Sequence, residues 1–200
     1  MIKFFLKAKH WQIFALMVGI PILFQIIVMG HIIASENPVL NFSIFLIFML
    51  LFMSVFFGWF WSIGVGLNKF LPQESNLNIT KFKIFLLVPF FYVIFLMFSM
   101  LSFGLFSDTP PPNGMFGISF AIIIPLHLFS MFCMFYIMYF CSKTIKSIEL
   151  KREAIFSDYV GEFFLLWFYM IGIWILQPKI NKIYVEKVID ATNVESKSLN

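Results

Sequence analysis

Two carboxylates stand just before a long apolar run near the C-terminal end of the sequence. Asp158 and Glu162 are four residues apart, and none of the fourteen residues from Phe163 to Leu176 carries a charge. Side chains four residues apart share one face of a helix. An ionisable pair at the edge of an apolar segment is typical of a proton or cation site at the mouth of a membrane pathway.

A plain helix start explains the same two carboxylates without any chemistry. Ser157 would be the N-cap, the acids would occupy the first turn, and Arg152 or Lys151 would be their partners. Both interpretations stay open on the sequence alone. Two carboxylates are too few ligands for a metal site, and no metal is expected.

His127 and Gln25 are further candidates for a pathway, because each lies deep inside an apolar run. At 1.5 Å of rise per residue, both lie about 20–25 Å from the lysine-bearing ends of their segments, as do Ser54 and Ser99. One such polar group per segment predicts either hydrogen bonds between helices or a polar station along a substrate path. No second histidine lies deep enough to share a haem with His127, and no cofactor is expected.

A row of small residues marks the second apolar run. Four of them recur every four positions and define a small-residue ridge, Ser54, Gly58, Ser62 and Gly66. Such a ridge lets two helix backbones approach closely, which predicts an intimate helix contact within the chain or between chains. The neighbouring Trp59 and Trp61 are expected in an interfacial belt or on a lipid-facing side.

The composition places these residues in a membrane protein. The chain of 200 residues is 61% hydrophobic and only 12% charged, and its mean hydropathy is +0.94. Soluble domains are about half apolar and a quarter charged. The net charge of +4 comes from lysines at the ends of the apolar runs, which suits orientation in a bilayer and not nucleic-acid binding.

We therefore predict one all-α integral membrane domain over residues 1–200. Its elements are four spans at about 11–33, 42–67, 82–106 and 115–140, a fifth embedded helix at 159–177, and a short tail at 178–200. Ten Lys and Arg residues flank the N-terminus, the second loop and the segment after the fourth span, and none occupies the other two loops. The positive-inside rule then predicts a cytoplasmic N-terminus in the plasma (inner) membrane.

The fifth segment admits two arrangements. As a straight helix of about 26 Å, Val160–Leu176 is marginal for a hydrocarbon core of about 30 Å. Lysines follow the segment as well as precede it, which favours a re-entrant helix, and Gly172 could allow a break. In the tail, Ile180, Ile183, Tyr184 and Val188 have helical spacing, and the last ten residues resemble a disordered end.

Two classes of function fit these observations. The first is a non-enzymatic transport or channel component, or an accessory membrane subunit, that binds the bilayer and either a second copy or a partner subunit. The second is a membrane-embedded enzyme acting on lipid at the cytoplasmic face through Asp158 and Glu162. The sequence shows no third catalytic group, so no catalytic residue is assigned.

Overall fold

Helices are the only regular secondary structure in the part of the chain described by the computed structural model, residues 1–34, 38–105 and 115–198. The all-α class predicted from the sequence is confirmed. The α-helices are α1 (Ile2–Lys7), α2 (His10–Phe14), α3 (Ile20–Ala34), α4 (Pro38–Gly66), α5 (Ile79–Leu105), α6 (Met115–Leu150), α7 (Phe156–Trp167) and α8 (Tyr169–Ser198).

Four helical stretches of the described chain are long and apolar enough to cross a membrane. They are His10–Gly30, Ile44–Phe70, Ile79–Ser99 and Ala121–Leu150. They overlap the four predicted spans. The last helix runs on from 140 to Leu150, and Cys141, Ile145 and Ile148 are buried along this extension. The predicted end of the third span at 106, and the connections 35–37 and 106–114, lie outside the described residues.

The first of these stretches is one rod with a π-helical turn. Residues Ala15–Gly19 join α2 to α3, and the Ile20 N–H donates to the carbonyl of Ala15, five residues earlier. Pro21 follows at once and has no N–H to donate. The π-helical turn, which is wider than an α-helical turn, therefore lies where Pro21 removes a backbone donor from the helix.

The charged connections gather at one end of the bundle. Asn76, between α4 and α5, contacts Glu153, between α6 and α7, at 3.4 Å. Phe70 packs against Tyr184 of α8 with ring centroids 6.3 Å apart, and Asn181 contacts the carbonyl of Leu6 in α1 at 3.1 Å. We call this end, formed by α1, the connections 67–78 and 151–155 and the middle of α8, the lysine-bearing end.

The densest packing lies in the half of the molecule next to this end. Its fully buried side chains include Leu6, Phe60, Ile63, Phe82, Phe140, Ile145, Leu166 and Leu176. In the other half, large apolar side chains such as Ile22 and Phe98 are more than half exposed. Apolar surface on this scale suits lipid as its solvent.

The segment predicted as one embedded helix at 159–177 is instead two helices that fold back on each other. The break comes at Phe168, whose backbone leaves the helical region at φ −91° and ψ 55°. Glu162 and Lys179 would lie about 25 Å apart in a straight helix, yet their charged atoms are 2.6 Å apart. The chain therefore reverses within the predicted segment. The straight helix is wrong.

Gly172 contributes to this reversal from within α8. A Cβ on Gly172 would overlap the carbonyl oxygen of Leu165 in α7. Only a glycine allows the two helices to approach this closely. Gly172 is thus the contact point of the hairpin, and the break itself lies four residues earlier.

The tail also differs from its prediction. Residues 178–198 continue α8 without interruption past Pro178, so an end disordered over ten residues is wrong for this part of the chain. Ile180, Ile183 and Tyr184 are buried, while Val188 is 37% exposed. The predicted apolar face therefore packs for about one turn beyond the hairpin, and residues 199–200 lie outside the description.

Candidate functional site

Asp158 lies in the first turn of α7, where it makes two structural contacts. Its Oδ2 accepts the N–H of Ile155 at 3.0 Å and pairs with the Arg152 guanidinium at 2.9 Å. The hydrogen bond from the Ile155 backbone, together with Arg152, lowers the pKa of Asp158. The N-cap position is Ile155, so the predicted N-cap at Ser157 is wrong.

Glu162 belongs to a ring of alternating charges, which we call the ion-pair ring. Its Oε1 lies 2.6 Å from the Lys179 nitrogen and 3.4 Å from that of Lys146. Both lysines also contact Glu149, at 2.7 Å and 2.9 Å. Two positive and two negative charges thus cancel at the junction of α6, α7 and α8.

The two carboxylates singled out in the sequence therefore meet different cations. Asp158 faces Arg152, whose side chain is 50% exposed, whereas the Glu162 side chain is only 10% exposed between its lysines. A partly desolvated carboxylate with two cations is held far more firmly than a surface pair. Glu162 ties the hairpin to α6, and Asp158 fixes the start of α7.

His127 forms a hydrogen-bonded pair with Tyr92 between α5 and α6. The Tyr92 hydroxyl lies 3.1 Å from His127 Nδ1, and Tyr92 is buried whereas His127 is exposed on the bundle surface. Gln25 is exposed on α3. His127 could be identified from the sequence. Its partner Tyr92 could not, because it lies 35 residues away on another helix.

The two serines predicted at the same depth bond within their own helices. Ser54 donates to the carbonyl of Leu50 at 2.7 Å, and Ser99 donates to that of Phe95 at 2.9 Å. Such bonds to the preceding turn satisfy the hydroxyl without joining helices. For Ser54 and Ser99 the predicted interhelical hydrogen bond is wrong.

A groove of about 410 Å³ lies between α4, α5 and α6, with Trp167 at the tip of α7 closing one side. Its walls are mostly methionine and phenylalanine, and Tyr92, His127 and Ser130 bring the polar groups. The Oγ of Ser130 is buried without a hydrogen-bond partner in the described structure. Ser130 was not predicted as a site residue, although it shares a helix face with His127 three residues earlier.

The small-residue ridge lies mainly beneath the N-terminal helix. A Cβ on Gly58 would meet the Phe5 ring at 3.0 Å, and one on Gly66 would meet Ile2 and Leu6 at 2.7 Å. The close contact along the ridge is therefore made within the chain, by α1. Ser62 between them is fully buried, whereas Ser54, one turn beyond α1, is exposed.

A buried amide network at the end of α1 was not predicted. Gln177 Nε2 donates to the carbonyls of Phe5 and Ala8 at 2.7 Å and 2.9 Å, and Asn181 adds bonds to Leu6 and Ala8 at 3.1 Å. The last carbonyls of a helix have no partners within the helix. Two amides one turn apart on α8 satisfy them here.

Trp59 completes this network, contrary to its expected position. Its indole is 1% exposed, and Nε1 donates to Gln177 Oε1 at 2.9 Å. A belt or lipid-facing position is therefore wrong for Trp59. Trp61 is half-buried, and the Lys83 ammonium lies 5.9 Å from the centre of its ring.

The chain matches no protein-family model, no curated protein and no solved structure. The function must therefore be argued from the ion-pair ring, the amide network and the groove themselves.

Proposed function

We propose that the protein is a non-enzymatic multi-pass protein of the plasma (inner) membrane, acting as a transport component or an accessory subunit. The four apolar stretches cross the bilayer in this proposal. The α7–α8 hairpin enters and leaves on the lysine-bearing side, which the positive-inside rule assigns to the cytoplasm. The partner is a second copy or another membrane subunit.

The engagement of Glu162 by two lysines is the observation that carries this proposal. A catalytic acid or base must reach the atom that it protonates or deprotonates. The Glu162 carboxylate instead faces Lys146 and Lys179 at 3.4 Å and 2.6 Å. Its charge stabilises the hairpin, which supports an architectural role over lipid chemistry at this position.

Asp158 supports the same conclusion. Its Oδ2 is occupied by the Ile155 N–H and by Arg152. A residue that serves as a helix-start anchor is available for catalysis only if those contacts are given up. The alternative, a lipid enzyme using both carboxylates, would need to dismantle the start of α7 and the ion-pair ring together.

Gentle purification tests the proposal. Native mass spectrometry of the detergent-extracted protein should find a defined oligomer or a stoichiometric membrane partner. The same preparation in vesicles with labelled phospholipid should leave the lipid unchanged. Turnover of lipid by the wild type, abolished in a folded Glu162→Gln variant, would establish the enzyme instead. A monomer with no partner in cross-linked cells would contradict the subunit role.

A further inference from the structure

The groove between α4, α5 and α6 has a buried floor and an open rim. Met53 and Phe57 in the floor are 3% and 8% exposed, whereas Met131 and Trp167 at the rim are 45% and 42% exposed. The inference rests on the membrane insertion in the proposed function, under which this rim faces the bilayer. A ligand would therefore enter from the lipid phase.

Ser130 supplies a hydrogen-bonding group inside this groove. The residue is only 4% exposed, and its Oγ has no partner in the described part of the chain. Ser54, Ser62 and Ser99 all donate to the carbonyl four residues earlier, so the usual solution for a serine in an apolar helix is not used at Ser130. A buried hydroxyl without a partner is unfavourable, and a molecule in the groove would satisfy it.

His127 places a second polar group beside Ser130. Its Nδ1 is taken by the Tyr92 hydroxyl at 3.1 Å. The other ring nitrogen, Nε2, donates when Tyr92 donates to Nδ1, and accepts when Nδ1 donates to Tyr92. Tyr92 thus orients the imidazole, while His127 itself is exposed along the rim.

The charge of the groove restricts the ligand. Its described lining contains no Lys, Arg, Asp or Glu. An ionised headgroup there would lose its hydration without gaining a counter-charge, which is strongly unfavourable. The ligand head must therefore be uncharged but able to hydrogen-bond.

The shape and chemistry of the walls restrict the ligand further. Aromatic rings from α4, α5, α6 and α7 line the groove, among them Phe57, Phe135 and Trp167. Met53 and Met134 line it as well. Aromatic side chains pack against flat rings in stacked or edge-to-face geometry. Methionine adapts to irregular apolar ligands. A planar ring with an apolar tail meets all of these conditions.

We propose that the groove binds an isoprenoid quinone. One carbonyl of the neutral ring accepts from Ser130 Oγ, and the other accepts from His127 Nε2 in the tautomer that Tyr92 sets by donating to Nδ1. The prenyl tail leaves over the rim past Met131 into the bilayer. The volume of about 410 Å³ is in the range of small-molecule sites and holds the ring with the first part of the tail.

Quinone binding can be measured on the whole protein in nanodiscs of synthetic dioleoylphosphatidylcholine. A naphthoquinone with four isoprene units is added at increasing mole fraction, and its quenching of tryptophan fluorescence is followed. The wild type should show a saturable component above the linear quenching due to partition into lipid. Ser130→Ala should weaken the apparent affinity about threefold to tenfold, and His127→Phe should weaken it similarly. Trp167→Phe should remove most of the saturable signal.

Ser54→Ala is the matched control, because that hydroxyl already bonds within its own helix and should bind like the wild type. Purely linear quenching in the wild type, or equal affinities for wild type and Ser130→Ala, overturns the proposal. So does native mass spectrometry showing a phospholipid that saturating quinone fails to displace, since the groove then holds an acyl chain.

Resistance of the protein to alkaline extraction from vesicles is scored separately. An inserted protein that binds no quinone refutes only this inference, whereas an extractable protein refutes the proposed function.

Discussion

The indole of Trp59 donates a hydrogen bond of 2.9 Å to the side chain of Gln177, 118 residues away in the sequence. Gln177 in turn donates to two carbonyls of the N-terminal segment. One buried amide thus connects α4, α8 and α1, and all three of its hydrogen bonds are sequestered from solvent.

Gln177→Leu should destabilise the protein by about 2–4 kcal/mol, because it leaves the Trp59 N–H and the Phe5 carbonyl buried without partners. Thermal unfolding in mild detergent, followed by tryptophan fluorescence, measures the change. Gln25→Leu is the matched control, since Gln25 is exposed on α3 and its replacement should alter the midpoint little. Equal shifts for the two variants would show that the amide network contributes nothing.

Glu162→Gln and Lys179→Met should each destabilise the hairpin by about 1–3 kcal/mol, because each leaves a partner charge only partly neutralised. The double variant should be less destabilised than the sum of the two, with a coupling of about 1 kcal/mol or more. A double-mutant cycle of unfolding free energies measures this. Glu186→Gln, in an exposed pair with Lys182 at 3.9 Å, should change stability by less than about 0.5 kcal/mol. Additive single effects would contradict the ion-pair ring.

Gly58→Leu should displace α1 from the ridge at a cost of about 1–3 kcal/mol, because even a Cβ there approaches the Phe5 ring to 3.0 Å. Ser54→Leu, one turn earlier on the same ridge but exposed, should be nearly neutral. Thiol labelling of a reporter cysteine at Ala8, which is 5% exposed, should speed up only in the Gly58 variant, in a background without Cys133 and Cys141. Identical labelling rates would mean that α1 is not held by close packing.

A cysteine at Lys182 should label from the same side of the membrane as one at Ser75, because the hairpin brings α8 back to the lysine-bearing end. Lys182 is well placed for this assay, with a side chain 77% exposed. The background lacks Cys133 and Cys141, and a cysteine at Thr109, outside the described residues, marks the opposite side. If position 182 is labelled from the same side of the membrane as position 109, residues 159–177 cross the bilayer.

The anchoring of α7 by Asp158 should weaken in acid. The pKa of Asp158 is lowered in the folded protein, so its contribution is complete above the unfolded value of about 3.9 and is lost as the pH falls through the folded pKa. The stability difference between wild type and Asp158→Asn should therefore shrink below about pH 4. Melting curves from pH 7 to pH 3 measure this, and a difference that stays constant would exclude a role for the ionised carboxylate.

Hydropathy was enough to find the four long helices, because an apolar run of about 20 residues can be recognised as a possible membrane span without knowledge of the rest of the chain. The reversal near Phe168 was not visible in this way. It depends on Gly172 meeting the Leu165 backbone, a contact decided by tertiary packing. Gly172 was noted as a point where a helix could break, but the sequence did not show which residue would lie against it.

The polar contacts were harder still to predict. The partners of Gln177 lie 118 to 172 residues away, and nothing near Gln177 in the sequence indicates an acceptor or donor. Glu162 was identified as an ionisable residue at an apolar edge, but Lys146 and Lys179 reach it only because α6 and α8 both pack on α7. Local pattern locates such residues, and tertiary topology determines what they do.

The amide network also imposes an order on biosynthesis. The carbonyls of Phe5, Leu6 and Ala8 leave the ribosome long before Gln177 and Asn181, the side chains that bond to them. During most of translation, therefore, α1 has no partners for its C-terminal carbonyls, although its ridge on α4 has already been made. Among the described helices, α1 is made before the others but is among the last to be completed. A ribosome that stalls before residue 177 would therefore release a chain in which α1 is exposed to membrane quality-control proteases.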